Sequence, residues 1–224
     1  MIAFDFYRFA PPGVGLVGVT DQTNFWSAED METALSGALD SAGYLGDRGC
    51  DYMVHTGAAH VASRSPGYDT GLLAEMERRA RVGCTSSIRS ALQAFARLGL
   101  RRVAVASPRP ERITTWVVDY IRVEGIWVPH VAFLGTDFTL LHTVEPSAIY
   151  RFARQVAAAA PNADGLYMPG PQAPVAMTVA AIEQDIGKPV IASTPADFWA
   201  AFHRLGIRDR IEGHGALLAS LARD

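Results

Sequence analysis

The loop Thr56-Gly57-Ala58-Ala59 has no bulky side chain before His60, so its backbone N–H groups can approach an anion closely. Gly170-Pro171-Gln172-Ala173 is built alike much later in the chain. Either loop can cradle a carboxylate, or it can simply make a tight strand-to-helix turn. His60, an imidazole titrating near neutrality, is a candidate general acid or base, although a lone histidine is more often a packing or surface residue. Cys84, in Cys84-Thr-Ser-Ser, is a candidate nucleophile or proton donor. The competing reading is a buried strand thiol, since free cysteine is among the most buried residue types. Arg109, between Pro108 and Pro110, presents a planar fork suited to a carboxylate, or is a solvated loop arginine. Asn24, with Gln22 and Thr23, adds neutral donors. His55, His130, His142, His203 and His214 show no ligand spacing, so no metal site is expected.

The elements that must position these residues follow from alternation. Short β-rich runs alternate with helical patterns, the signature of parallel strands with helices on the sheet faces. Strands are expected at Val14–Val19, Tyr52–His55, Arg81–Thr85, Arg101–Ser107, Trp127–Leu134, Gly165–Met168 and Pro189–Ser193. Helices are expected from Ser27, then over Tyr68–Arg79, Ser87–Leu98, Glu111–Val123, Ser147–Ala160, Val175–Asp185 and Ala196–Leu205. Ala94-Phe-Ala-Arg-Leu-Gly-Leu-Arg101 echoes Ala201-Phe-His-Arg-Leu-Gly-Ile-Arg208, and each follows a strand ending in Ser86-Ser87 or Ser193-Thr194. The echo reads as a duplicated lobe, or as two amphipathic helices that are alike only because both end in glycine; as a duplication it sets Cys84 opposite Ile191. Two such lobes place their strand C-termini face to face across a cleft.

Composition removes several function classes. The chain has 224 residues, 49% hydrophobic and 19% charged, with a formal net charge of -3 and no run of Lys or Arg. It can bury a full core, and it lacks the positive face that nucleic acid requires. Apolar stretches such as Trp127–Leu134 fall well short of the roughly 20 residues that cross a membrane. Met1–Arg8 has none of the segments of a secretory signal, and there are two cysteines, so a cytoplasmic protein with reduced thiols is expected. No G-x-G-x-x-G follows the first strand pattern, which argues against a nicotinamide enzyme.

Asp164-Gly-Leu-Tyr-Met-Pro-Gly170 and Ile182-Glu-Gln-Asp-Ile-Gly-Lys-Pro-Val-Ile-Ala-Ser-Thr-Pro-Ala-Asp-Phe-Trp199 are similar to the second half of arylmalonate decarboxylases. Cys84-Thr-Ser-Ser with Leu98–Ser107 is a second match, and Thr23-Asn24 resembles a carboxylate-holding loop of maleate isomerases. On these residues the chain resembles the aspartate/glutamate racemase superfamily. The resemblance implies two pseudo-symmetric α/β lobes, here 1–106 (completed by 206–224) and 107–205, with the site between them. It also implies no cofactor and a small carboxylate as substrate, without nucleic acid or membrane partners; assembly into a homo-oligomer is left open. The expected reaction is isomerisation or decarboxylation beside the carboxylate, through an enediolate held by backbone amides.

The match departs from the superfamily at its chemistry. Gly57 and Gly170 stand where a two-cysteine racemase carries thiols, and Arg109 stands where decarboxylase-like relatives place a tyrosine. The residues expected at the site are His60 and Cys84 for catalysis, with Asn24, Gly57, Ala58, Ala59, Arg109, Gly170, Pro171 and Gln172 for binding. A Cys84-dependent isomerase, and a carboxylate-binding protein that has lost the chemistry, are the alternatives.

Overall fold

The computed structural model describes residues 1–20 and 28–223. Asn24, Thr23 and Gln22 lie outside the described residues. Helices α1 (Ile2–Phe9) and α2 (Ala28–Asp47) precede the first parallel pair, β1 (Tyr52–His55) and β2 (Gly83–Ser86). Between those strands run α3 (Ala58–Ala62) and α4 (Tyr68–Ala80), and α5 (Ser87–Arg97) follows β2. The chain continues through β3 (Val103–Ser107), α6 (Glu111–Val123), β4 (Val131–Phe133), a 3-10 turn at Phe138–Thr143 and α7 (Pro146–Ala159). It closes with β5 (Gly165–Met168), a 3-10 turn at Ala176–Thr178, α8 (Val179–Ile186), β6 (Val190–Ala192), α9 (Ser193–Arg204) and α10 (Ala216–Ala219).

The α/β architecture holds. The two strands β1 and β2 pair in parallel, with Met53 opposite Cys84 and His55 opposite Ser86. The second sheet runs β4-β3-β5-β6, also parallel throughout. Every residue of β3, β5 and β6 is buried, as expected where helices cover both faces of a parallel sheet. A division of the chain at residue 106 runs through β3, whose strand partners all lie in the second sheet.

The internal echo is carried by hydrogen bonds as well as by sequence. Glu77, near the end of α4, accepts the Cys84 N–H at 3.1 Å, and Glu183, on α8, accepts the Val190 N–H at 2.8 Å. These bonds pair Cys84 with Val190, one residue from the Ile191 that the helix motifs suggest. An extra residue in α9, 12 residues against 11 in α5, takes up the difference. Both helices stop before a glycine in the left-handed region, Gly99 (φ 68) and Gly206 (φ 72). The helices α5 and α9 pack together, and the Phe95 ring meets Tyr167 edge-on at 5.3 Å beneath them.

Several expected elements differ. Val14–Val19 forms no strand: it runs without a ladder along one side of a cleft of about 1030 Å3, with Tyr52, Met53 and Val54 of β1 on the other. Gly15 and Gly18 weaken a strand that the apolar pattern alone favours. The second strand begins at Gly83 because Arg81 caps α4 in the left-handed conformation (φ 63). Trp127 makes only an isolated bridge to Arg102, so the strand expected from it shortens to β4. The helix expected from Val175 starts at Val179, after the 3-10 turn. Helix α1 was not anticipated. Its Phe6 and Phe9 pack on Phe198 of α9, with ring centroids 5.1 and 6.2 Å apart.

Helix α1 also carries a buried carboxyl. Asp5 is fully buried, and among the described residues neither oxygen has a partner within full hydrogen-bond distance; burial pushes it up to about 6, against the pull of the amino terminus, Arg8 and the nearby Thr194 hydroxyl. A carboxyl raised in this way contributes stability that is complete below its unfolded value near 3.8 and is lost as pH rises through 6. Asp5→Asn should therefore stabilise the fold by about 2 kcal/mol at pH 8 and give no gain at pH 4. Thermal melts of the two proteins at both pH values check this. Among the described residues no helix is long and apolar enough to cross a membrane.

Candidate functional site

The two small-residue loops follow β1 and β5, and both turn at a glycine that no other residue could replace cheaply. Gly57 (φ 103, ψ 79) caps α3, and Gly170 has φ 131. A Cβ on Gly57 would lie 2.9 Å from Cε1 and Nδ1 of His60, and one on Gly170 would lie 2.8 Å from Cγ of Pro108. The two positions where the resemblance sets thiols are thus closed to side chains by backbone conformation and by neighbours.

Each glycine N–H is already engaged. Gly57 donates to Oγ of Ser87 at 3.0 Å, and Gly170 donates to Oγ of Ser193 at 3.2 Å. The expectation that these two amides aim at a shared anion needs correction, since the serines take them. The residues that follow are the ones brought together. Ala58 and Ala59 from the first loop face Pro169, Gly170 and Pro171 from the second across a cavity of about 10 Å3, with Ser107, Arg109 and Ser193 in its wall. The room is that of one water. Pro171 has no N–H to offer, so the second loop is the poorer donor.

Arg109 makes up that deficit. It is 7% exposed, its Nη2 donates to Oε1 of Gln172 at 2.6 Å, and its guanidinium lies over the Phe138 ring at 5.6 Å. The Arg109 N–H donates to Ser107 Oγ, which also receives the Thr114 hydroxyl at 2.8 Å, and this fixes the turn between the two prolines. Among the described residues no carboxylate pairs with Arg109. Burial pulls its pKa down to about 10, the mark of a cation held in a dry place without a counter-charge.

His60 is buried against Gly57, with its ring centroid 5.4 Å from that of His55. Burial pushes it down to about 3, and His55 and Arg109 act in the same direction, so the ring is neutral at pH 7. His60 does not line the cavity, although it backs the loop that does. Cys84 lies in β2 within the apolar core, outside the cavity, and burial, aided by Glu77, pushes its thiol up to about 12. Such a thiol stays protonated at neutral pH. Cys50 is half-buried beside the same core. Tyr167 and Trp199 pack in the interior as large aromatics do, Trp199 stacking on His203 at 5.2 Å. Sequence reasoning passed over Ser107, Ile113, Thr114 and Val117 in the cavity wall, and Ser87 and Asp197 behind the first loop. The Ser86-Ser87 and Ser193-Thr194 pairs were visible, but their partners were not.

A family model described as arylmalonate decarboxylase matches residues 5–218. The chain belongs to the arylmalonate decarboxylase family. It is 23% identical over 199 residues to arylmalonate decarboxylase of Bordetella bronchiseptica, covering 88% of this chain and 80% of that protein. Among solved structures, maleate isomerase of Pseudomonas putida S16 superposes with a TM-score of 0.82 at 24% identity, covering 88% of this chain and 81% of the other. A Nocardia farcinica maleate cis-trans isomerase variant, solved with a covalently bound succinylcysteine intermediate, gives 0.87 at 17% identity over 98% of this chain and 91% of that one. These matches place this member of the arylmalonate decarboxylase family in the wider aspartate/glutamate racemase-like superfamily, with the two-sheet α/β fold described above.

Proposed function

We infer that this protein is a cofactor-independent lyase that removes a carboxyl group beside a second carboxylate in a small malonate-type acid. The observation that carries the reading is Arg109, a buried guanidinium that no carboxylate pairs with among the described residues, facing two small-residue loops across a cavity that no thiol lines. A cis-trans isomerisation through a cysteine adduct, the chemistry named for the Nocardia relative, needs a thiol at the substrate. Both cysteines of this chain lie elsewhere. Loss of carbon dioxide needs no such adduct. The C–C bond breaks, its electron pair flows into the remaining carboxylate as an enediolate, and a proton from water returns to the carbon.

The residues present suit that sequence. Arg109 binds one carboxylate bidentately and stabilises the charge as it grows. The amides of Ala58 and Ala59, at the first turn of α3 where no intrahelical acceptor exists, supply neutral donors from the other side. The apolar wall formed by Ile113 and Val117 disfavours the charge of the departing carboxylate. Because the cavity holds about one water, substrate enters by drawing Gln172 away from Arg109. The neutral His60 supports the first loop, and water carries the proton.

Incubating the protein with malonate, phenylmalonate and maleate, and following carbon dioxide release and product by NMR, tests the reading. Carbon dioxide should leave a malonate-type acid, maleate should persist, and Cys84→Ala should keep turnover within about twofold. Conversion of maleate, or loss of turnover in Cys84→Ala, would restore a thiol mechanism. Thermal stabilisation by these acids without turnover would instead favour a carboxylate-binding protein.

A further inference from the structure

The two halves of the site treat their glycines alike and then differ one bond further out. Ser87 and Ser193 open α5 and α9, and each accepts a glycine N–H. The Ser87 hydroxyl donates in turn to Oδ2 of Asp197 at 2.7 Å, a bond that crosses from the start of α5 to α9. Among the described residues no carboxylate meets Ser193. In the register set by Ser87 and Ser193, the first half has Ala91 where the second has Asp197, so this carboxyl is an addition to one side only. It is 2% exposed, and among the described residues nothing lies within full hydrogen-bond distance of its second oxygen, although the Ser90 hydroxyl is near enough to oppose its burial. Burying a carboxyl in this way is costly.

We propose that Asp197 is a positioning residue for the first loop: its carboxylate orients the Ser87 hydroxyl, and the Ser87 oxygen fixes the Gly57 N–H so that Ala58 and Ala59 meet the substrate carboxylate. This rests on the carboxylate-site reading above. A hydroxyl that donates to a carboxylate becomes a better acceptor, so the Gly57 bond is tightest when Asp197 is ionised. When Asp197 is protonated it can donate to Ser87 itself, and the Ser87 oxygen, no longer giving its proton to a carboxylate, becomes a weaker acceptor for the Gly57 N–H.

Burial pushes Asp197 up to about 7, with Ser87 and Ser90 opposing, so the relay changes state near neutrality. Ser87 and Ser90 face it from α5, and the Tyr167 phenol, itself raised by burial, faces it from β5. On α1, β1, β2 and α5, which pack against α9, the other titratable groups are Asp5, Tyr7 and Arg8, Tyr52 and His55, Cys84, and Arg89 and Arg97 respectively. None of them contributes to the shift of Asp197.

The test follows the Gly57 amide by two-dimensional NMR from pH 5.5 to 8.5, with malonate affinity measured by calorimetry on the same samples. In the wild type the Gly57 signal should titrate with a midpoint near neutrality, and in Asp197→Asn it should stay flat. Malonate affinity of the wild type relative to Asp197→Asn should rise about tenfold across that range, which cancels the ionisation of malonate itself. Ser87→Ala should abolish the titration of Gly57 with Asp197 intact, and it serves as the second variant if Asp197→Asn does not fold. A flat Gly57 signal in the wild type, or one that still titrates in Asp197→Asn, overturns the relay. Malonate binding with a flat signal would leave the carboxylate site standing and remove the relay. A titrating Gly57 with no malonate bound would keep the relay and remove the carboxylate site.

Discussion

Arg109→Met should lower kcat/KM for the malonate-type substrate by about 100-fold or more while leaving the protein folded. The argument is one of charge. In the free protein the guanidinium is buried with a neutral amide as its hydrogen-bond partner, so its removal relieves a desolvated cation and should raise rather than lower the melting temperature. In the complex the same group meets a carboxylate in a dry site, where truncating one member of the pair costs about 2–5 kcal/mol, and each 1.4 kcal/mol is a factor of ten. Arg109→Lys separates charge from geometry. It keeps the cation but loses the two-pronged fork and the stacking on Phe138, and should recover only part of the loss. Steady-state kinetics and thermal melts on the two variants check both halves. An Arg109→Met protein with full turnover would remove Arg109 from the site.

The fold was legible where local pattern and tertiary demand agree. β3 and β5 read as apolar runs because both sheet faces are covered, and the repeated Arg-Leu-Gly motif marks the ends of α5 and α9 because a left-handed glycine ends each helix. Val14–Val19 misled because its apolar pattern promises a partner that the segment does not pair with: Val17 and Val19 are exposed, and it lines a cleft against β1 without joining its ladder. Helix α1 escaped because its Phe6 and Phe9 find their partners on α9, almost the whole chain away. The site was legible in part. The loops and Arg109 announced themselves by residue type, and the cavity joins them. His60 and Cys84 were chosen for intrinsic chemistry, which burial has altered in both, down to about 3 for one and up to about 12 for the other. Asp197 was invisible because its significance lies in a hydrogen bond to a serine 110 residues away.

The glycine positions carry the second large effect. If this chain were a racemase-like enzyme that had merely lost its thiols, Gly170→Cys would be a benign step back. The structure predicts instead a loss of about 4 kcal/mol of stability. Placing an L-residue at φ 131 costs about 1–3 kcal/mol. Its Cβ would sit 2.8 Å from Cγ and 3.3 Å from Cδ of Pro108, whose ring cannot rotate aside, and overpacking of this kind adds about 1–3 kcal/mol. The Pro108 displacement would pass directly to Arg109, whose Nε lies 3.8 Å from the same Cβ. Gly57→Cys differs in an instructive way. Its Cβ clashes at 2.9 Å with a side chain, His60, so Gly57→Cys combined with His60→Ala should regain part of the stability lost in the single variant. For Gly170 the obstacle is a ring closed onto the backbone, so Pro108→Ala would clear the clash only by freeing the turn that holds Arg109. Urea denaturation of the three proteins measures the costs, and thiol titration reports whether the new cysteines are reachable. A Gly170→Cys protein as stable as the wild type would mean that the Pro108-Arg109 turn can yield, and with it the argument that this site is built to exclude a thiol.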